Sequence, residues 1–487
     1  MANTATLTQS SLSASQAVAK IPLIIEGTPV FNGTGQRIHE TSTGSYFQGA
    51  EISDCQQAVQ SSSNAFCSWS KTSPLGRRRL LLHLAQLLHE RQDEIKVIIQ
   101  TEIHCSEAWA ARNVSDSIAL IEESASLITS RSMNGSIPHT DGHGSFGFVF
   151  NRPLGVILGI APWNGPLILG FRAVVAPVAT GNTAILKGSE LSPRTHHFIA
   201  QLFVDAGFPP GVVNFILHRP QDAADVVKTL ITHPAVRKIN FTGSTAVGRI
   251  ISETAGRCLK PVLLELGGKN CAIVLKDADV SKAVNATLQG ATLNGGQICM
   301  STDLAIVTSD VADSFKDKLR QAVEKLRGTS HKVIIERSAA RSLALSTDAN
   351  GKGAKVTSTI ELPSSTLGPQ HVPVTLIENV QSSMDFFSQE SFGPLLGVVV
   401  VDSEEEAIRL VNECEYGLSC AIWTQNHHHA LELAQRLDVG AVHINASTVH
   451  DEATLPHGGS KLSGFGRFGA EWGLQEFVQT QTVILNP

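Results

Sequence analysis

The 487-residue sequence lacks several features that would assign it to a common class. No run approaches the 18 or so apolar residues that a membrane-spanning helix needs. The net charge of −6 argues against a nucleic-acid-binding protein, which normally carries a basic stripe. There is no internal repeat. Residues 1–20 have no basic segment followed by an apolar core, so we interpret them as a loose tail rather than a signal peptide.

The sequence also lacks paired cysteines and metal-site spacing. None of its eight cysteines forms a C-x-x-C pair, so we expect free thiols in a reducing, cytoplasmic compartment. The run His427–His429 follows Gln425-Asn426 and precedes an apolar-periodic segment, which indicates a solvated helix start rather than a metal site. The segment Gly243–Gly248 does not match G-x-G-x-x-G, and no G-x-S-x-G motif is present.

The content that remains is typical of a globular protein with two to four domains, because 42% of residues are hydrophobic and 17% charged. Apolar residues at three- and four-residue spacing predict helices over Ile52–Ser68, Leu75–Thr101 and Ala108–Ser130. Alternating glycine and phenylalanine in Gly135–Asn151 predicts an exposed hairpin with one apolar face, which should dock on another surface.

From residue 153 onward, short apolar strands alternate with helical segments. The predicted strands are Val156–Ala161, Asn182–Leu186, Val212–Leu217, Val236–Phe241 and Val262–Leu266. This rhythm predicts a parallel sheet that helices cover on both faces. Ligands of such sheets bind beyond the carboxyl ends of the strands, so the residues after each strand are the informative ones.

Two of these strand ends suggest a dinucleotide. Gly243-Ser244 would begin a helix whose free N–H groups can hold a phosphate, although Ser244 could equally be an ordinary N-cap. Lys187 and Glu190 suit a ribose, with a surface ion pair as the alternative. A carboxylate there would repel a 2′-phosphate, which favours NAD over NADP while leaving NADP possible.

The stretch Leu264–Ser301 holds the candidate chemistry. Glu265 follows a strand, and Cys299 follows Gly295-Gly296-Gln297-Ile298. A thiolate is a good nucleophile, and a nearby carboxylate can activate a thiol or a water. Taken singly, each has a plainer interpretation: a buried small hydrophobe for Cys299 and a paired strand-end carboxylate for Glu265.

After Ser301 a second strand–helix region runs to about residue 445. Residues 327–370 are rich in Ser, Thr, Gly and Lys with little periodicity, which predicts a long surface insertion. A terminal strand is predicted over Phe477–Leu485.

Seven motifs in order carry a resemblance to a known family. They are APWN at 161–164, LK-S-E around 186–190, FTGS at 241–244, LELGGK at 264–269, GQICMST at 296–302, ESFGP at 390–394 and a late GG-K-SG. The set resembles the aldehyde dehydrogenase superfamily from about residue 20 to the end. The resemblance implies an α/β fold with a Rossmann-type parallel-sheet NAD-binding domain (21–134 and 152–264), an α/β catalytic domain (265–473) and a small β oligomerisation element (135–151 and 474–487).

The resemblance also implies a mechanism. Cys299 would attack the aldehyde carbon, and the Asn164 amide with the Cys299 backbone N–H would stabilise the oxyanion. Hydride would leave to the nicotinamide, and Glu265 would activate the water that hydrolyses the thioester. Lys269 would add positive potential near the thiol or be structural. The implied cofactor-binding residues are Ala161, Pro162, Trp163, Lys187, Glu190, Gly243, Ser244, Gly248, Leu266, Glu390 and Phe392.

Within the superfamily, the flanking residues look like the benzaldehyde, vanillin and salicylaldehyde dehydrogenase group. There Arg172 would face the substrate tunnel, with an ordinary helix ion pair as the alternative. Gly165 and Gly170 would leave space for a planar ring, and His457 stands where Phe is common, which makes the pocket wall more polar. Gly188 stands where Pro is usual, which would loosen the ribose contact.

The leading hypothesis is therefore an NAD-dependent oxidation of an aromatic aldehyde by a homodimer or homotetramer. The alternatives are an aliphatic or semialdehyde dehydrogenase, a CoA-acylating member, a silent binding member of the fold and a cysteine hydrolase. Glu265 argues against the CoA-acylating member, and the set Cys299, Glu265 and Asn164 argues against a silent one. A hydrolase is weakened because no histidine sits in a partner motif.

Overall fold

Eight strands form the larger sheet of the computed structural model, which describes residues 20–487 except 33–37, 42 and 362–367. From one edge to the other these strands are Gly464–Phe465, Val262–Glu265, Val236–Thr242, Val156–Ile160, Thr183–Lys187, Val213–Ile216, Leu23–Ile25 and Thr28–Val30. The five predicted strands are confirmed, each to within one residue at either end, and they run parallel. Their apolar runs are buried, as a sheet covered on both faces requires.

The five parallel strands have the 3-2-1-4-5 order of a doubly wound sheet. Four helices connect them: Pro166–Ala179, Pro193–Asp205, Ala223–Thr232 and Thr245–Arg257. The order reverses between Val156–Ile160 and Val236–Thr242, so the loops after these two strands form the crevice where such sheets bind ligands. Those loops hold Trp163 and Ser244.

A second sheet of seven strands follows in the chain. Its strands, in spatial order, are Lys355–Ser358, Thr375–Glu378, Leu395–Val401, Thr302–Thr308, Asn270–Val274, Ser419–Trp423 and Ala441–Ile444. All pairs are parallel except the first. Two hydrophobic clusters pack on its opposite faces. The candidate nucleophile Cys299 lies just before one of its central strands, and Glu265 ends a strand of the first sheet.

The predicted N-terminal helices are present, with one difference. They are Ile52–Trp69, Pro74–Glu90, Gln92–Ile103 and Glu107–Leu127. The single helix predicted over Leu75–Thr101 is two helices, because Arg91 takes φ −100° and ψ 16° and both ends one helix and begins the next. The tail predicted for residues 1–20 lies almost entirely outside the described residues.

The hairpin predicted over Gly135–Asn151 is wrong. Phe146–Pro153 pairs along its whole length with the C-terminal strand Val478–Leu485, antiparallel, so the partner comes from the far end of the chain. Only one bridge, between Ser136 and Val149, joins the predicted segment to itself. The alternation that predicted a strand with one apolar face was informative, but nothing local indicated the partner. Phe146, Phe150 and Ile484 are about half exposed on this two-stranded arm.

The surface insertion predicted over 327–370 is also wrong. The segment contains the 16-residue helix Glu336–Gly351 and the strands Ser330–Lys332 and Lys355–Ser358, and the strand His371–Pro373 follows directly after it. The buried side chains Leu345 and Ala349 pack the helix on the second sheet. The Ser- and Ala-rich helix has too few apolar residues to show a clear period, so tertiary contacts stabilise it. Residues 362–367 lie outside the description.

The remaining elements are short or peripheral. They are the helices Val280–Thr292, Ser309–Glu324, Asp385–Ser388, Glu404–Glu413, His427–Ala434 and Ala470–Gln475, the 3₁₀ turns Arg131–Met133, Pro220–Asp222 and Leu293–Gly296, and the strands Lys20–Ile21, Ile38–Glu40, Tyr46–Gln48, Tyr416–Gly417 and Ser460–Lys461. The predicted helix start at His427 is confirmed, with Asn426 accepting a hydrogen bond from the N–H of His429. All eight cysteines are free thiols, as predicted. In the described part of the chain, no helix has the length and apolar character to cross a membrane.

Candidate active site

A tight turn presents Cys299. Asn294, Gly295 and Gly296 have φ angles of 50°, 65° and 73°, three successive left-handed residues. A Cβ on Gly296 would lie 2.0 Å from the carbonyl oxygen of Gly393, so only glycine fits there. The sequence signal for this turn was the Asn-Gly-Gly run itself.

Asn270 holds the backbone after the turn. Its amide donates to the carbonyl oxygens of Cys299 at 2.8 Å and Ser301 at 2.9 Å, and its side-chain oxygen accepts from the N–H of Ser419 at 3.0 Å. This buried side chain therefore ties the cysteine segment to two strands of the second sheet. Sequence reasoning missed Asn270, although it directly follows the LELGGK motif.

The Asn164 side chain reaches the same segment from the first sheet. Its amide donates to the carbonyl of Gln297 at 3.0 Å, which leaves the second amide hydrogen available. The backbone carbonyl of Asn164 accepts from the side chains of Trp109 at 3.0 Å and Asn294 at 3.1 Å. The predicted oxyanion donor therefore contacts Gln297, which lies two positions before the predicted nucleophile Cys299.

Glu265 faces the thiol from the end of its strand. The residue is fully buried, yet among the described residues neither carboxylate oxygen has a hydrogen-bond partner. Burial raises the pKa of the Cys299 thiol well above its ordinary value, the Glu265 charge raises it further, and Arg172 acts in the opposite direction. An unpaired buried carboxylate beside a thiol is suited to accept a proton.

These groups line one cleft of about 440 Å³ between the two sheets. Among its lining residues are Pro162, Trp163, Asn164, Gly243, Ser244, Glu265, Leu266, Cys299, Glu390 and Phe392. Ten of the predicted catalytic and cofactor residues therefore surround a single space. Ala161 is buried just before this group, at the end of its strand.

Glu390 and Phe392 form the far side of the cleft. The N–H of Gly268 donates to the Glu390 carboxylate at 2.9 Å. Burial, together with the charges of Asp303 and Glu265, raises the pKa of Glu390 to about 8, against the effect of that hydrogen bond. Phe392 meets Trp163 edge to face, with ring centroids 5.8 Å apart.

Ser244 serves as the N-cap of Thr245–Arg257 and accepts from the N–H of Val247 at 3.4 Å. The N-cap interpretation is confirmed, and the helix N-terminus still faces the cleft, whose lining includes Thr245 and Ala246. A Cβ on Gly248 would lie 2.5 Å from the Leu266 side chain, so this glycine lets the helix pack closely on Leu266. Gly248 therefore affects the shape of the cleft by allowing this close packing of the helix on Leu266.

Lys187 and Glu190 lie together after their strand, outside that cleft. Burial lowers the pKa of Lys187, and Glu190 opposes the shift. A Cβ on Gly188 would lie 2.8 Å from His196, whose ring nitrogen accepts from the N–H of Ser189 at 3.1 Å. The side chains of His196 and Phe215 thus fill the space beside Gly188, and the looser ribose contact stays a prediction.

A second cavity, of about 280 Å³, adjoins the catalytic groups. Arg172, Asp451 and His457 line it together with apolar residues such as Leu120 and Ile168. Arg172 forms an ion pair with Asp451. The residue therefore fits both interpretations, because it faces a cavity and its charge is paired.

Three further expectations need correction or refinement. A Cβ on Gly170 would lie 2.3 Å from Ile199, so this glycine admits a neighbouring helix rather than a substrate ring. A Cβ on Gly165 would be in ordinary contact with Ile168 and Leu169, so there is room for a small side chain and the substrate role of Gly165 stays a prediction. Lys269 lies 3.3 Å from Asp303 and 3.8 Å from the Phe386 ring centroid, which makes it a structural cation.

The profile of the aldehyde dehydrogenase family matches residues 37–483. The chain belongs to the aldehyde dehydrogenase family. It is therefore an oxidoreductase that acts on aldehydes, and the cysteine mechanism is general for this family.

Curated relatives cover nearly the whole chain. A vanillin dehydrogenase of Pseudomonas fluorescens is 42% identical over 478 residues, which is 96% of this chain and 98% of the relative. A salicylaldehyde dehydrogenase of Pseudomonas putida is 37% identical over 465 residues, covering 93% of this chain and 95% of the relative.

Solved structures agree. A salicylaldehyde dehydrogenase of Pseudomonas putida G7, complexed with salicylaldehyde, has a TM-score of 0.91 and 35% identity and covers 96% of this chain and 98% of its own. An aldehyde dehydrogenase of Bacillus cereus was solved with NAD⁺, at a TM-score of 0.89, 28% identity and coverage of 96% of both chains. An NADP complex exists for a glyceraldehyde-3-phosphate dehydrogenase of Bacillus halodurans, at a TM-score of 0.89 and 30% identity, with coverage of 96% of this chain and 99% of its own. The cofactor class is therefore a nicotinamide dinucleotide.

Proposed function

We propose that this protein oxidises a ring-hydroxylated aromatic aldehyde to the carboxylic acid, with NAD as the hydride acceptor. The observation that carries the proposal is the position of Cys299, Glu265 and Asn164. They line a cleft at the switch point of a doubly wound sheet and adjoin a second cavity with a polar wall.

In the first step the Cys299 sulfur attacks the aldehyde carbon, and the Glu265 carboxylate accepts the thiol proton. The high pKa of the thiol means that the proton must leave during attack, and the Glu265 carboxylate, which interacts with the thiol, is an available acceptor. The free Asn164 amide hydrogen and the Cys299 N–H would hold the oxyanion of the resulting thiohemiacetal. Asn270 and the left-handed turn fix that N–H before the substrate arrives.

The residues present fit a nicotinamide dinucleotide. Ser244 and the N-terminus of Thr245–Arg257 would hold its phosphates, and Glu390 with Phe392 would hold the nicotinamide ribose and ring. When bound, the cofactor supplies the hydride acceptor. Glu265 releases the thiol proton to water and then takes a proton from the water that attacks the thioester, the C–S bond breaks, and Cys299 leaves as the thiolate.

The carboxylate of Glu190 favours NAD over NADP. Glu190 places a carboxylate beside Lys187, where the resemblance puts the adenine ribose. A carboxylate there accepts a hydrogen bond from a ribose hydroxyl and repels a 2′-phosphate. We expect Glu190→Gln to reduce the NAD-over-NADP ratio of kcat/KM by about tenfold. An unchanged ratio would reject the assignment of Glu190.

The substrate class follows from the second cavity and the relatives. Its apolar side suits a planar ring, and Arg172, Asp451 and His457 suit a hydroxyl on that ring. Vanillin and salicylaldehyde, the aldehydes after which two relatives are named, both carry a hydroxyl on the ring.

The test is NAD reduction at 340 nm with salicylaldehyde, vanillin, benzaldehyde and acetaldehyde. We expect kcat/KM to be highest for the hydroxylated rings and lowest for acetaldehyde. Cys299→Ser should lower turnover at least about a thousandfold while the protein stays folded. A preference for acetaldehyde would exclude the aromatic proposal, and full activity of the serine variant would exclude the nucleophile.

We further propose that the arm formed by Phe146–Pro153 and Val478–Leu485 joins subunits into a homodimer or homotetramer. Its half-exposed Phe146, Phe150 and Ile484 form an apolar surface with no cover from the described residues of the same chain. Sedimentation at the monomer mass would contradict this.

A further inference from the structure

His457 lies between two carboxylates beside the catalytic cysteine. Its Nε2 is 3.8 Å from an oxygen of Glu265, and its Nδ1 is 3.8 Å from an oxygen of Asp451. The ring is 8% exposed, and its Nε2 has no hydrogen-bond partner in the described part of the chain. The two Glu265 oxygens are equally unpartnered. Two buried polar groups that face one another without a bond can exchange a proton after a small rotation or through one water.

The neighbours of His457 extend this contact to the cavity. The Asp451 oxygen that does not face His457 contacts Arg172. Burial would raise the pKa of Asp451, but the charge and hydrogen bond of Arg172, with contributions from His457 and His450, together lower it, so Asp451 stays anionic. An anion next to Nδ1 favours a proton on that nitrogen and stabilises the imidazolium. His457, Asp451 and Arg172 all line the second cavity.

Other charged groups near this set belong to different elements. Asp116 lies across the cavity on Glu107–Leu127, Glu452 lies beside Asp451, and His450 pairs with Glu452 at 2.8 Å. His443, on the strand Ala441–Ile444, has its pKa lowered to about 4, by burial first and then by His450 and His457. His443 is therefore neutral at working pH, and Glu265 and Asp451 are the carboxylates that face His457.

We propose that His457 relays the proton of the hydrolytic water from Glu265 to the second cavity, a role that rests on the proposed function. During hydrolysis a water O–H bond breaks, its oxygen bonds to the thioester carbon, and the proton goes to Glu265. The C–S bond then breaks and releases the Cys299 thiolate. His457 takes the proton at Nε2 and releases its Nδ1 proton toward Asp451 and the cavity water. His457 acts through Glu265, so it is a positioning and relay residue.

The relay predicts a specific defect. His457→Phe keeps the ring volume and removes both nitrogens, so formation of the acyl-enzyme should continue while its hydrolysis slows about tenfold or more. Glu265 would remain protonated after each cycle. The limb of the kcat–pH profile that reports this proton transfer should shift or disappear. Asp451→Asn should also slow hydrolysis of the acyl-enzyme, but by a smaller factor. His457→Gln should hydrolyse the acyl-enzyme faster than His457→Phe does and more slowly than the wild type.

Two readouts separate the steps. Rapid-mixing with p-nitrophenyl acetate gives a p-nitrophenolate burst for acylation of Cys299 and a slow phase for its hydrolysis, with no aldehyde or cofactor needed. Mass spectrometry of acid-quenched enzyme measures the acylated fraction. We expect His457→Phe to keep the burst and accumulate acyl-enzyme. The matched control is His450→Phe, on the same loop, which should behave as wild type.

The outcomes distinguish this inference from the proposed function. If the folded His457→Phe variant hydrolyses the acyl-enzyme at the wild-type rate with an unchanged pH profile, the relay is wrong. If His457→Phe does not fold, an unchanged slow phase in both Asp451→Asn and His457→Gln overturns it. If none of the tested aldehydes supports NAD reduction by the wild type, but the wild type still shows the ester burst, the substrate proposal is wrong. The ester assay then still tests the relay.

Discussion

The two sides of the catalytic centre are built in different ways. The cysteine side, residues 294–301 with Asn270, is held by backbone geometry and by bonds to backbone carbonyls. The cavity side, Arg172, Asp451 and His457, is assembled from side chains that pair with one another across distant elements. The first side fixes where bonds are made and broken, and the second can change its chemistry through single side chains.

The largest effect should come from a variant that removes hydrogen bonds on the cysteine side and changes none of the atoms that react. Asn270→Ala removes the two hydrogen bonds that this side chain donates to the carbonyls of Cys299 and Ser301. A displacement of about 1 Å can lower turnover about a hundredfold, so we expect a loss of that order in kcat. The free energy of unfolding should fall by about 1–3 kcal/mol, measured by urea unfolding.

A matched control is Ser301→Ala in the same segment. The Ser301 hydroxyl is buried and has no hydrogen-bond partner among the described residues. Its removal should leave kcat within about twofold, because no bond that positions the loop is lost. Equal losses in both variants would mean that the segment tolerates no change and that Asn270 has no special role.

A change on the cavity side should affect substrate choice more than turnover. Arg172→Met leaves Asp451 without its cation and raises the pKa of that carboxyl. We expect KM for salicylaldehyde to rise about tenfold and KM for benzaldehyde to change by less than about threefold. Steady-state kinetics with both aldehydes measures this, with Arg257→Met, from an exposed ion pair with Glu253, as the control. A parallel rise in both KM values would contradict a hydroxyl-binding role.

The smallest expected effect concerns stability and pH. The pKa of Glu390 is about 8 in the folded chain, above its ordinary value of 4.5. Between these values the unfolded chain loses the proton and the folded chain keeps it, so this group's contribution to stability falls as pH rises and levels off above about 8. Glu390→Gln should remove this slope.

Urea unfolding of the wild type and Glu390→Gln from pH 5 to pH 9 measures the difference between their free energies of unfolding. It should move in favour of the variant with rising pH, by about 1 kcal/mol or more overall. A difference that does not depend on pH would mean that Glu390 is already ionised in the folded protein.

The same contrast explains what the sequence could predict. The cysteine side depends on short contiguous motifs such as Asn294-Gly295-Gly296, whose backbone demands are local, so Cys299 and Glu265 were identifiable. The five parallel strands were predictable because buried strands are continuous apolar runs.

The predictions that failed concern contacts between residues that are far apart in the sequence. The partner of Phe146–Pro153 lies more than 300 residues away, and no local pattern names it. His457 was recognised as unusual, but its position between Glu265 and Asp451 depends on how a loop folds over the first sheet. Gly170 looked like space for a substrate, because a glycine shows only that a side chain is missing and not which neighbour fills the gap.

The meeting of Gly296 with the Gly393 carbonyl constrains how this enzyme can diverge. The loop that carries Cys299 and the loop that carries Glu390 and Phe392 touch through backbone atoms, so a methyl group added to Gly296 would force them apart. Descendants of this sequence can therefore acquire new substrates by exchanging residues around the second cavity one at a time. The backbone contact between the two loops cannot be altered by a comparable series of single substitutions. We therefore expect it to be retained after the preferred aldehyde has changed.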